Sequence, residues 1–223
     1  MISNKTVTAV IPVRAGSRRL PNKNILPFGD SNLLIHKIRQ LKNVEEIDNI
    51  VVSSDSDEML NMAKAEGVDT HKRALEYADE KTKTFNEVVE HVASSVIGDI
   101  LMWTPCVCPL TSPRNYRDAL INFKKFAVEN GDYDSIISAK LFKEYLFDEN
   151  GPLNYNPIKH VPSQYLPEWK IIVNGFYIAK RLDMINWKYF FGKRPYLQVL
   201  TKKEAVDIDD AEDFEIAKAL LGI

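Results

Sequence analysis

At 223 residues, 45% hydrophobic and 27% charged, the chain can bury a full core as one large domain or as a domain with a small appendage. Lys and Arg number 29 against 31 Asp and Glu, a formal charge of −2, so no global field favours a nucleic acid polymer or a membrane surface, and an anion site has to be built locally. The apolar runs are too short for a membrane span, no signal-like leader precedes the first strand, and Cys106 and Cys108 are too close to pair and too few for zinc, which together suggest core thiols and a cytosolic protein.

Residues 7–11 form an apolar run that reads as a buried first strand. It breaks into Pro12-Val13-Arg14-Ala15-Gly16-Ser17-Arg18-Arg19-Leu20-Pro21-Asn22-Lys23-Asn24, with one Gly, two Pro and four cations. Backbone N–H groups of such a turn can line a nest for a phosphate chain, with Arg and Lys neutralising its charge. The plain alternative is a solvated basic loop. Neither the Walker spacing nor the dinucleotide glycine pattern is present. Residues 33–41 have helical spacing, with Leu34, Ile38 and Leu41 on one stripe and His36 expected as a capping or surface residue. A short strand at 47–55 ends in Ser-Ser-Asp, and a helix at 58–66 is closed by Gly67. This alternation predicts an α/β sheet with sites at the carboxyl ends of its strands.

Residues 71–84 have no core periodicity and read as a polar connector. A helix follows at 85–96, with Val88, Val89, Val92 and Val96 on its inner face. Ile100–Trp103 reads as a central buried strand entering a turn at 104–112; a helix at 115–128 and a strand at 135–139 come next. From 140 to about 165 turn residues crowd a segment rich in aromatics, a surface excursion of the kind that marks an interface.

Near the end, Glu204-Ala205-Val206-Asp207-Ile208-Asp209-Asp210-Ala211-Glu212-Asp213-Phe214 puts Asp207 and Asp209 on one face if the segment is extended. Paired carboxylates repel unless a cation lies between them, and together with phosphate oxygens they suit Mg²⁺. Asp209 or Asp210 could instead cap the helix that follows, whose apolar stripe is Phe214, Ala217, Leu220 and Leu221.

The loop residues Pro12, Arg14, Gly16, Ser17, Arg18, Pro21, Lys23 and Asn24 resemble, at fixed spacing, the nucleotide signature of the acylneuraminate cytidylyltransferase family. The resemblance continues through Arg73, where Ala74 replaces the family's usual Pro, and through Cys108-Pro109-Leu110, where the family's preceding Gln is absent. It takes in Gln164, Pro167, Asn174, Gly175, Tyr177 and Ile178, and ends in Asp207-Ile208-Asp209. It implies a doubly wound α/β nucleotidyltransferase fold over residues 1–223, with 140–170 as a dimerisation insertion. The implied reaction moves CMP from CTP to an acidic, nonulosonic acid-like sugar and releases pyrophosphate. Arg14 and Lys23 would be catalytic. Arg14, Ala15, Gly16, Ser17, Arg18, Lys23, Asn24, Arg73 and Thr84 would hold the nucleotide, and Asp207 and Asp209 the Mg²⁺.

For the acceptor the resemblance points to Gln164, and Lys143 is a nearby cation that could join it. Ser163 stands where the family has an Arg suited to a carboxylate, and a Ser cannot replace that ion pair. Either a lysine such as Lys143, Lys159 or Lys170 substitutes, or the acceptor is a small phosphate or phosphonate. A nucleotide-binding relative without activity is the remaining alternative.

Overall fold

The computed structural model describes residues 2–223 apart from Ser3, Arg18 and Glu80. The first strand, β1 (Val7–Pro12), is almost wholly buried, with Ala9 and Ile11 facing one layer of helices and Val10 the other. A strand buried on both faces reads as a continuous apolar run, which is why residues 7–11 show no alternation. A small hairpin, β2 (Pro27–Phe28) and β3 (Ser31–Asn32), leads to α1 (Leu33–Lys42), capped by the Asn32 side chain. Then follow β4 (Asn49–Ser54), α2 (Asp57–Ala65), β5 (Asp69–Lys72), α3 (Phe85–Ser95) and β6 (Ile100–Trp103). The second half contains α4 (Pro113–Phe123), β7 (Ser135–Phe142), the hairpin strands β8 (Phe147–Asp148) and β9 (Gly151–Pro152), and the long β10 (Trp169–Lys180). It closes with α5 (Arg181–Trp187), β11 (Pro195–Leu200) and α6 (Ala211–Leu221).

Among the described residues the main sheet has seven strands in the order β11-β7-β10-β6-β1-β4-β5. All neighbours pair in parallel except β10, which runs antiparallel to both β6 and β7. Helices cover both faces. Leu33, Leu34, Ile38 and Leu41 of α1 join Met59, Tyr116, Phe123 and Phe214 in one core. Val89, Val92 and Ala93 of α3 and Met184 of α5 pack with Trp103 and Tyr177 in the other. Each fully buried side chain of this size contributes on the order of 1.5–3 kcal/mol. From β1 the order runs through β4 in one direction and β6 in the other, so the crevice between β1 and β6 at their carboxyl ends is a topological switch point, where open α/β sheets bind ligands.

Several local readings change. The helix expected at 115–128 starts at Pro113 behind a Ser112 cap and gives way after Phe123 to a wider turn, in which Asn130 N–H donates to the Lys125 carbonyl at 3.0 Å. His36 neither caps nor faces solvent. Its Nε2 lies 3.1 Å from the Pro109 carbonyl, its ring stands edge-on to Phe28, and burial lowers its pKa. Beside it Lys37 is fully buried, with its ammonium on the Cys108 carbonyl and the Tyr116 hydroxyl. These contacts of α1 hold the turn after β6 in place.

Candidate active site

The loop after β1 is shaped by backbone geometry before any charge is considered. Val13 N–H donates to the Ser53 carbonyl at 3.0 Å, and Ala15 N–H to Asp55 Oδ1 at 3.0 Å. Gly16 then takes φ +72°, where a Cβ would meet no neighbour, so glycine is favoured there by conformation and not by space. Asn22 is also left-handed, at φ 54°, a conformation asparagine tolerates better than most residues. A short helical turn, Lys23–Ile25, brings Asn24 inward. Its Nδ2 donates to the Arg14 carbonyl at 3.1 Å, and its Oδ1 accepts from the Cys106 thiol at 3.1 Å. Both thiols are buried core groups, as expected, and burial pushes that of Cys106 up to about 11.

This loop forms one wall of a cleft of about 470 Å³ at the switch point. Arg14, Ser17, Arg19, Lys23, Asn24 and Arg73 line its polar side, and Phe85, Val88, Trp103, Val107, Tyr177 and Phe190 its apolar side. Arg73 is buried, with Nη2 donating to the Val13 carbonyl at 2.7 Å. Burial lowers its pKa, against the opposing pull of Asp55. Arg14 Nη1 donates to the Ala78 carbonyl at 3.0 Å, which ties the loop to the 71–84 connector. Tyr77, also on the cleft wall, stacks on His91 at 3.9 Å between ring centroids.

The C-terminal segment folds back onto this loop. Ile208 is fully buried and its N–H donates to the Val107 carbonyl at 2.9 Å, whereas Asp207 and Asp209 on either side are half-buried. Lys23 Nζ donates to the Ile208 carbonyl at 2.7 Å and lies 3.9 Å from Asp209, and Arg19 pairs with Asp209 at 2.7 Å. The cap of α6 is Asp210, which accepts from the N–H groups of Glu212 and Asp213, so neither Asp207 nor Asp209 is used in that role. Asp207 Oδ2 accepts from Asn174 Nδ2 at 2.7 Å, while its Oδ1 is buried without a hydrogen-bond partner. Burial raises the Asp207 pKa, the Asn174 hydrogen bond opposes this, and the charge of Asp209 adds to it.

A buried, unpartnered carboxylate oxygen beside a second carboxylate fits a divalent cation. Among the described residues no group of three or more His, Cys, Asp or Glu could hold a metal, so a cation here would need phosphate oxygens to complete its shell, as Mg²⁺ commonly does.

Other expected site residues fall elsewhere. Arg18 lies outside the described residues. Thr84 is the N-cap of α3 in a reciprocal capping box with Glu87, so its hydroxyl is engaged in the helix start, and Lys83 and Phe85 on either side reach the cleft instead. Gln164 and Lys143 do not reach the cleft of their own chain. Gln164 sits on an exposed turn, Ser163–Tyr165, and Lys143 lies 3.5 Å from Glu168. Sequence reasoning missed the apolar wall. Trp103 reads from sequence only as the end of a buried strand, Tyr177 only as part of the family motif with Asn174, and Phe190 carries no local signal.

A cationic loop that lines a cleft at the switch point of an α/β sheet, and that touches a carboxylate pair at the cleft's edge, is the kind of arrangement nucleotidyltransferases use. The Cytidylyltransferase family matches residues 8–134, more than half of the chain, and the chain belongs to that family. It is 27% identical over 217 residues to an N-acylneuraminate cytidylyltransferase of Escherichia coli, covering 95% of this chain and 51% of that one. It is 26% identical over 227 residues to a pseudaminic acid cytidylyltransferase of Campylobacter jejuni, covering 95% of this chain and 94% of that one. It therefore spans about half of the first relative and nearly all of the second. Among solved structures, a CMP:2-keto-3-deoxy-manno-octonic acid synthetase with CTP aligns over 97% of this chain and 98% of its own, at TM-score 0.69 and 16% identity. A 4-diphosphocytidyl-2C-methyl-D-erythritol synthase of Anaerococcus prevotii aligns over 100% and 98%, at TM-score 0.72 and 14% identity. At these identities the structural likenesses establish the fold.

Proposed function

We propose that the chain transfers CMP from CTP to an acidic sugar of the nonulosonic acid class, with Mg²⁺ and with release of pyrophosphate. The observation that carries this reading is the meeting of Lys23 with Ile208 and Asp209, which brings the anion-binding loop and the paired carboxylates to one place. An acceptor hydroxyl gives up its proton to solvent, the deprotonated oxygen attacks the α-phosphorus, a new P–O bond forms, and the bond to the β-phosphate bridging oxygen breaks in line. Arg14, Lys23 and the loop N–H groups of Gly16 and Ser17 bind the triphosphate and neutralise the leaving pyrophosphate, with Arg18 assigned to the same task from sequence, while the Ala15 N–H is held by Asp55 and shapes the loop. Asn24 retains an N–H for the phosphate side, and Arg73 braces the pocket from beneath. Asp207 and Asp209 would hold the cation, which supplies charge neutralisation to the phosphate oxygens.

The apolar wall of Phe85, Trp103, Tyr177 and Phe190 suits a sugar bearing deoxy or acyl groups better than a small phosphate or phosphonate. Gln164 and Lys143 lie on the 140–170 segment, where Phe147, Tyr165 and Trp169 are exposed. In a homodimer formed through that segment they would be available to an acceptor in the partner's cleft. No described helix is long and apolar enough to cross a membrane. Use of CTP and two unpaired thiols support a cytoplasmic enzyme.

The test is incubation with CTP and Mg²⁺ and a panel of N-acetylneuraminate, pseudaminate, a keto-deoxy octonate and small phosphorylated acceptors, read by mass spectrometry of the CMP conjugate. A CMP-nonulosonate product is expected. Conversion of phosphorylated acceptors alone would overturn the reading. A kcat/KM for N-acetylneuraminate of about 10⁴ M⁻¹s⁻¹ or more, within the normal enzyme range, would show that Ser163 does not exclude the common sugar.

A further inference from the structure

Three polar groups form a chain whose direction is set by chemistry. Asp207 can only accept when ionised, so Asn174 must turn its NH₂ toward it, at 2.7 Å from Oδ2. That leaves Asn174 Oδ1 to accept from the Tyr177 hydroxyl at 2.8 Å. The Tyr177 ring is buried against Phe190, and burial raises its pKa, so the phenol remains a donor.

The backbone that carries Asn174 is equally constrained. The register between β10 and β7 slips between Ile172 and Tyr177, so residues 173–176 form a bulge, a feature that re-aims side chains. Ser138 fastens it from β7: its hydroxyl donates to the Val173 carbonyl at 2.7 Å and accepts from Phe176 N–H at 3.0 Å. Thr104 fastens it from the other side, its hydroxyl donating to the Gly175 carbonyl at 3.0 Å. A Cβ at Gly175 would come within 3.0 Å of the Ser138 hydroxyl oxygen.

We propose that Asn174 and Tyr177 are positioning residues that saturate one oxygen of Asp207 and aim the other at a divalent cation, with the bulge at 173–176 holding them in place. The inference rests on the reading of Asp207 as a metal ligand. Partners in this outer shell commonly alter metal affinity 10–100-fold.

The experiment measures CTP affinity by calorimetry without acceptor, once with Mn²⁺ and once with EDTA, and takes the ratio as the metal-linked gain. Asn174→Ala is expected to reduce the gain by about tenfold and Tyr177→Phe by less, the ratio cancelling any change in metal-free CTP affinity. A merely structural role would shift thermal unfolding and leave the gain alone. If both variants keep the wild-type gain while Asp207→Ala loses it, the proposal fails and the metal reading survives. If Asp207→Ala also keeps it, the metal reading fails and takes the proposal with it. Should Asn174→Ala not fold, Tyr177→Phe decides alone, since it removes one oxygen, and an unchanged gain overturns the proposal.

Discussion

The ammonium of Lys23 bridges the two ends of the chain, 2.7 Å from the Ile208 carbonyl and 3.9 Å from the Asp209 carboxylate. A single charge there joins the cationic loop to the acidic segment. Lys23→Ala is expected to lower turnover by about two orders of magnitude, roughly the 3 kcal/mol typical of one preorganised charge stabiliser. Steady-state kinetics on a variant with wild-type thermal unfolding tests this, and near-native turnover would remove Lys23 from the site.

The acidic segment separates metal binding from capping. Asp207→Asn and Asp209→Asn are expected to abolish Mg²⁺-dependent turnover with the fold intact. Asp210→Ala removes the cap of α6 and should cost about 1 kcal/mol of stability while turnover is retained. Full activity in both Asn variants would end the metal assignment.

The acid limb of stability includes a contribution from Glu87. Hydrogen bonds from the Thr84 N–H and hydroxyl, with Lys83 adding to them, lower its pKa from 4.5 to about 2. A carboxylate whose pKa is depressed on folding stabilises fully above its unfolded value and loses that contribution as pH falls through its folded value. Glu87→Gln should therefore be less stable than wild type near neutrality and converge with it between pH 4.5 and 2, as seen by thermal melting at stepped pH. Parallel curves over that window would contradict the capping-box account.

Gly175 tests the bulge independently of metal. Gly175→Ala would bring a methyl within 3.0 Å of Ser138 Oγ and 3.2 Å of Thr111 Oγ1, both set in hydrogen bonds. Overpacking of this kind costs typically about 1–3 kcal/mol. Urea unfolding should show a lower midpoint at unchanged slope, and an unshifted midpoint would mean the bulge can relax.

What could be read from residues in order was what depends on near neighbours. β1, β6 and α3 follow from runs of buried side chains, the cationic turn after β1 from its glycine and charges, and the carboxylate pair from an alternation that keeps Ile208 inside and Asp207 and Asp209 together. The family resemblance rested on the same local spacings. Only the tertiary structure decided that β10 enters the sheet antiparallel between β6 and β7, because strand pairing depends on contacts far apart in sequence. It also decided that Asp210 caps α6, that Thr84 starts a helix, and that Gln164 and Lys143 lie away from their own cleft. The contact of Asn174 with Asp207 belongs to this second class. The bulge sets residues 173–176 of β10 against Ser138 alone on β7, and no local pattern of side chains announces where the partner strand will place such a slip.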